Sequence, residues 1–128
     1  MNSLELAIKN ALDSEGDSKN ANKAYLEFIK ANFIIPIQKD SVDNEPEVLY
    51  LEENGLFFLP VFTNMQYFDN WALDIAESIQ ILKLSGVDLL KGIGDNVNVC
   101  LNIGSEIYKE FNSAELARMK GMVLKLFK

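Results

Sequence analysis

The sequence predicts an α+β fold: a mixed five-stranded sheet with an N-terminal helical pair, a β-hairpin, and helices following the later strands. Three observations carry that expectation. Asn54-Gly55 sits between two apolar runs, the strongest short signal for a hairpin, because a type I′ turn needs positive φ at both central positions. Three helix-start signatures each follow a strand-like run. Val97–Ile103 alternates, with Val97, Val99, Leu101 and Ile103 on one side and Asn98, Cys100 and Asn102 on the other. The length of 128 residues suits one ordinary core, so residues 1–128 are read as a single domain.

Two helices come first. Leu4, Ile8, Ala11 and Leu12 recur at helical spacing, and Asn2 with Glu5 three residues on makes a cap pair. The polar run Asp13–Ser18 breaks the chain, and Ala21, Ala24, Tyr25, Phe28 and Ile29 form a second apolar stripe. Phe33–Gln38 is the first strand. Pro36 lacks a ladder donor, which predicts an edge or irregular strand. Lys39–Pro46 reads as a loop, and Glu47–Glu53 and Leu56–Phe62 as the hairpin, with Leu51 near Phe58 and Leu49 near Pro60. Then the capping boxes begin. Thr63 pairs with Gln66, stapled by Phe62 and Tyr67. Ser85 pairs with Asp88, stapled by Leu84 and Leu89. Asn112 pairs with Glu115, stapled by Phe111 and Leu116. Each cap residue contributes about 0.5–2 kcal/mol. Ser78–Leu84 and Val97–Ile103 are the remaining strands, and strands joined through helices favour parallel pairing. The helix between Ser85 and Gly92 is short for a crossover, so strand order stays open.

Composition excludes several chemistries. The chain has no histidine and one cysteine, which removes Ser-His-Asp and Cys-His nucleophile pairs and the usual zinc, copper and non-haem iron sites. No metal, cofactor or catalytic residue is expected. A net charge of −7 argues against general nucleic-acid binding, and no apolar run is long enough for a membrane helix. The N-terminal residues lack the order of a signal peptide, and Cys100 has no disulfide partner, so a cytoplasmic setting is expected. Charge is uneven. Asp40, Asp43, Glu45, Glu47, Glu52 and Glu53 form an acidic stretch, while the last helix carries Arg118, Lys120, Lys125 and Lys128. Solvated surface is the bland account of both; facing charges in a partnership are the sharper one.

Several residues are candidates for contact with a ligand or partner. Thr63 and Asn64, with Gln66, stand where a strand gives way to a helix, and Gly104-Ser105 and Ser85-Gly86 read the same way. Open amides there can hold a carboxylate, or can simply be capped. Asn98, Cys100 and Asn102 form either a polar wall or a buried thiol beside two amides. The acidic run Asp40–Glu45 lacks the order of a calcium loop. Phe57 and Phe58 point to opposite sheet faces, which could leave apolar surface on one of them. The last helix adds Met119, Met122 and Phe127, more apolar positions than one buried face needs.

Leu59-Pro60-Val61-Phe62-Thr63-Asn64 followed by Trp71 resembles the "LPVFTS…W" core of the SseB N-terminal domain family (enhanced serine sensitivity protein). Leu82–Leu90 is similar to that family's strand, small residue and D-L-L segment, Leu101–Ser105 to its "L-N-P-G-S" turn, and Lys109–Ala117 to its helix start. Ile103 stands where the family often has proline. The resemblance implies a bacterial protein linked to serine tolerance and supplies no catalytic residues. Longer members carry a second domain, whose activity is not carried over.

Three functions are ranked on these grounds. The first is a non-catalytic interaction or scaffolding module, with a protein partner or self-association through the C-terminal helix or a sheet edge. The second is a regulatory domain sensing a small ligand such as an amino acid near Thr63 or Gly104. An enzyme using carboxylates comes last, since no spacing of acids demands it.

Overall fold

The computed structural model describes residues 2–15, 17–38 and 48–126. Asn2 and Glu5 close a full capping box. The Asn2 side chain accepts the Glu5 N–H at 2.8 Å, and the Glu5 carboxylate accepts the Asn2 N–H at 2.9 Å. The helix they start is α1 (Ser3–Asp13), and Asp17 caps α2 (Ser18–Lys30). The two stripes turn inward: Leu4, Ala7, Ile8 and Ala11 of α1 and Ala24, Tyr25, Phe28 and Ile29 of α2 are buried. Leu12 is not part of that stripe and is 43% exposed. At 100° per residue it lies about 90° from the centre of the buried set, so the small Ala7 takes the inward position instead.

Among the described residues the strands number six, in two sheets, which corrects the single five-stranded sheet. β1 (Asn32–Gln38) pairs with β4 (Ile79–Ser85), antiparallel over seven residue pairs. The larger sheet runs β2 (Leu51–Glu53), β3 (Leu56–Val61), β5 (Val97–Leu101), β6 (Lys109–Phe111). β3 and β5 are parallel and the outer pairs antiparallel. β6 is the strand that the sequence reading missed. Its three residues run directly into the cap of the last helix, which hides them in the sequence.

One antiparallel bridge joins the sheets, Ile34 to Phe62, through two 2.9 Å hydrogen bonds. Because Ile34 spends both backbone groups on Phe62, alternation points those of Pro36 the same way. The Pro36 carbonyl accepts the Leu49 N–H at 3.0 Å, and its missing donor falls between two separate bridges, where no continuous ladder needs it. β1 is therefore flanked on both sides rather than a free edge. The same contact overturns the expected pairing of Leu49 with Pro60: the hairpin ladder ends at Leu51–Phe58, as predicted for that pair, and the preceding residues peel away to β1.

Between the strands lie α3 (Met65–Trp71), α4 (Gly86–Gly92) and, last, α5 (Ser113–Leu126). Ser85 caps α4 through the Asp88 N–H at 3.1 Å. Asn112 and Glu115 cap α5 reciprocally, as the sequence predicts. Two apolar clusters result. The larger joins α1, α2, α4 and α5 to one sheet face through Phe28, Phe33, Leu59, Val61, Phe111 and Met119. The smaller packs α3 on Phe62 and Ile34, with the Trp71 ring 5.3 Å from that of Phe62. β4 forms the outer margin of its sheet, with Lys83 exposed along it.

Candidate functional site

The chain leaves β3 at Val61 and enters α3 four residues later, and that junction is where the sequence-predicted site residues fall. The N-cap is Asn64, one residue beyond the expected Thr63; its side chain accepts the Tyr67 N–H at 2.9 Å. Thr63 is freed for another task. Its hydroxyl donates to the Glu5 carboxylate, and the Asn64 amide donates to the same oxygen at 2.8 Å. From the other side comes Asn102. The Thr63 N–H donates to the Asn102 Oδ1 at 3.0 Å, and the Asn102 Nδ2 donates to the Thr63 hydroxyl at 3.1 Å.

Asn102 ends β5 by adopting φ 56°, a left-handed conformation that asparagine tolerates better than most residues. It is fully buried and Cys100 is buried too, which goes against the polar wall expected of Asn98, Cys100 and Asn102 and agrees with the alternative of a buried thiol beside amides. Glu5 is also buried, at 5% exposure. Burial pushes its carboxyl pKa up, but hydrogen bonds from the Thr63 hydroxyl, the Asn2 amide and the Asn64 side chain outweigh this, and the pKa is lowered. Three donors occupy most of the acceptor positions of this carboxylate. The anion anticipated at the strand-to-helix junction is thus an internal one, supplied by the first turn of α1. Sequence reasoning named Thr63 and Asn64 but not Glu5, which was already assigned to its own cap.

Gly104 and Ser105 lie in a turn, not at a helix start, which corrects that part of the expectation. Gly104 has φ 86°, where a side chain would be strained. The Ser105 N–H donates to the Asn102 carbonyl, and its hydroxyl accepts the Ile107 N–H at 3.1 Å, leading the chain into β6. With Gln66, Tyr67 and Glu106 these residues line an open hollow of about 330 Å³. Burial, with the negative charges of Glu5 and Glu106, raises the Tyr67 pKa.

Met119 is completely buried in the larger core, so it is packing and not a contact surface. Met122 is partly buried against the same core, and Phe127 lies outside the described residues. The acidic run Asp40–Glu45 also lies outside them. Cys100 is buried; burial raises its thiol pKa, and Tyr108 donates to its sulfur at 3.8 Å. A second polar cluster was not foreseen. The Tyr25 hydroxyl donates to Glu115 at 2.8 Å, and Lys109 pairs with the same carboxylate at 3.3 Å. Burial, the accepting Glu115 and its charge push the Tyr25 pKa up to about 12.

The opposite end of β3 is different in kind. Asn54 and Gly55, at φ 54° and 82°, close the turn as predicted. Around it Tyr50, Leu56 and Phe57 are 44%, 53% and 43% exposed. The rings of Tyr50 and Phe57 meet edge-on with centroids 6.4 Å apart. Glu52 and Glu53 flank them in solvent.

Among the described residues no cluster of three His, Cys, Asp or Glu could hold a metal, and no helix is long and apolar enough to cross a membrane. No curated protein and no solved structure matches the chain. The motifs that prompted the family resemblance converge in space, with Thr63 and Asn102 in direct contact. The match to the SseB protein N-terminal domain spans residues 4–118, and the chain belongs to that family.

Proposed function

We propose that this domain is a non-catalytic interaction or scaffolding module of the bacterial cytoplasm, and that the β2–β3 hairpin is its contact surface. One observation carries the reading: Tyr50 and Phe57 stand ring against ring in solvent on a short, well-turned hairpin, with Leu56 exposed on its other face. Exposed aromatic side chains cost a monomer stability that burial would recover, and they are enriched where proteins meet. The non-catalytic part is supported by Glu5, the most deeply buried carboxylate described, whose acceptors are filled by the chain itself. The cytoplasmic part rests on the free thiol of Cys100.

The test is a photo-crosslinking side chain at Phe57 in the full chain, in the cell of origin, with the same group at Leu124 as control, since Leu124 is 71% exposed on α5. Discrete adducts from position 57 that are missing from position 124 support the reading. Identical patterns from both positions overturn it. An adduct at twice the chain mass identifies the partner as a second copy.

A second reading is a sensor of a small ligand, such as an amino acid. It is favoured by the hollow between α3 and the Gly104 turn, where amide, hydroxyl and carboxylate groups converge. Its size is at the small end for ligand sites. A rise in melting temperature with a single amino acid, abolished by Ser105→Leu, would place the function there instead.

A further inference from the structure

We infer that the hairpin's partner is an extended segment carrying basic and apolar side chains in alternation, added as a strand to the outer edge of β2; this rests on the hairpin reading above. Three features of the edge lead there. The first is its backbone. A two-residue turn makes Glu53–Leu56 the hydrogen-bonded pair next to the loop, so the N–H and C=O groups of Glu52 and Tyr50 point away from β3. Among the described residues these groups meet no partner. An edge of this kind is a template for another strand.

The second feature is the arrangement of side chains. Tyr50, Glu52 and Phe57 project from one face of the hairpin, because Glu52 is paired with Phe57 and strand residues alternate. An arginine on the incoming strand opposite Glu52 would sit about 4.8 Å away, with a carboxylate before it and two ring faces within reach. On the reverse face, Leu51 offers apolar area to the neighbouring side chains of the incoming segment, beside the exposed Glu53, with Leu56 and Phe58 behind them on β3. The site asks for a cation opposite Glu52 and for hydrocarbon opposite Leu51.

The third feature is charge. From Asp40 to Leu82 the sequence has nine acidic residues and no lysine or arginine. That imbalance selects a basic partner and speeds its approach. It also disfavours a second copy at this edge, since pairing β2 with itself would bring Glu52 and Glu53 of both chains within one strand spacing.

The probe is a short synthetic peptide alternating arginine with valine, compared with a peptide of the same composition in which the two residue types are in separate blocks. Titration by fluorescence anisotropy should show the alternating peptide binding at least about tenfold more tightly than the blocked one, with affinity falling as salt rises. Glu52→Lys should weaken it about tenfold, while Asp74→Lys, which removes an exposed acid outside the hairpin, should leave it unchanged. Hydrogen exchange at the Tyr50 and Glu52 amides should slow in the complex, and the same measurement reports whether each variant is folded. Equal binding of both peptides, equal losses in the two variants, or unchanged exchange at those amides would overturn the inference. Peptide failure alongside discrete Phe57 adducts would reject this partner chemistry and leave the hairpin reading standing. Failure of both would remove both.

Discussion

The two ends of β3 solve opposite problems with the same few residue types. At its C-terminal end, Glu5, Thr63, Asn64 and Asn102 are drawn inside and bonded to one another, with no buried side-chain polar atom left unpaired among the described residues. At its N-terminal end, Tyr50, Leu56 and Phe57 are pushed out, and the nearby backbone groups lack partners among the described residues. Polar residues are inside where apolar ones are outside. Read by composition alone, each end would be assigned to the wrong environment. The contrast teaches that completed hydrogen bonding, rather than polarity, marks the structural end, and that its lack marks the end suited to meeting something else.

Glycine substitutions break the comparison hardest. A Cβ at Gly86 would stand 2.0 Å from the Phe28 carbonyl oxygen and 2.8 Å from that of Ile29, both rigid backbone atoms where α2 and α4 pack. Gly86→Ala should cost about 3 kcal/mol or more by urea denaturation. At the open end, a Cβ at Gly55 meets nothing within 4 Å, but φ 82° strains any side chain. Gly55→Ala should cost only about 1 kcal/mol in the same measurement.

The polar junction comes next. Glu5→Ala strands the Thr63 hydroxyl and the Asn64 amide, and should cost about 2–4 kcal/mol. Glu5→Gln, which keeps the shape and one acceptor oxygen, should recover part of that loss. Because the folded-state pKa of Glu5 is lowered, its contribution is present above the ordinary value of 4.5 and disappears as pH falls through the native one. Urea midpoints of the wild type should therefore drop more between pH 6 and pH 3 than those of Glu5→Gln. Equal slopes would show that Glu5 is not held as an anion. The smallest effect belongs to the hairpin: Tyr50→Ala should change stability by no more than about 0.5 kcal/mol while abolishing the discrete adducts expected from a crosslinking group at position 57.

What was legible in the sequence was local. Asn2 with Glu5, Ser85 with Asp88 and Asn112 with Glu115 are interactions three residues apart, and all three form. The Asn54-Gly55 turn and the Leu51–Phe58 register follow from φ preferences of two adjacent residues. What was not legible depends on distant partners. Asn64 displaced Thr63 as cap because Thr63 is claimed by Glu5 and Asn102, 58 and 39 residues away. The two sheets meet where Phe62 reaches Ile34, a pairing that neither segment announces. Met119 looked surplus on a helix considered alone and proved to be central once the sheet beneath it was in place. One clue was available. Glu5 lies between Leu4 and Leu6 and Asn102 between Leu101 and Ile103, polar residues in apolar settings that call for a partner somewhere.

The outer margin of the smaller sheet has a consequence for solubility. Along the strand Ile79–Ser85 the side chains of Ile79, Ile81 and Leu84 pack inward, and the exposed ones are Gln80 and Lys83, the latter its one charge. A lone positive charge at such a margin acts as a gatekeeper against amyloid-like stacking. Lys83→Ala would remove that charge without touching the core, and is expected to lower the concentration at which the folded protein stays dispersed, as read by light scattering.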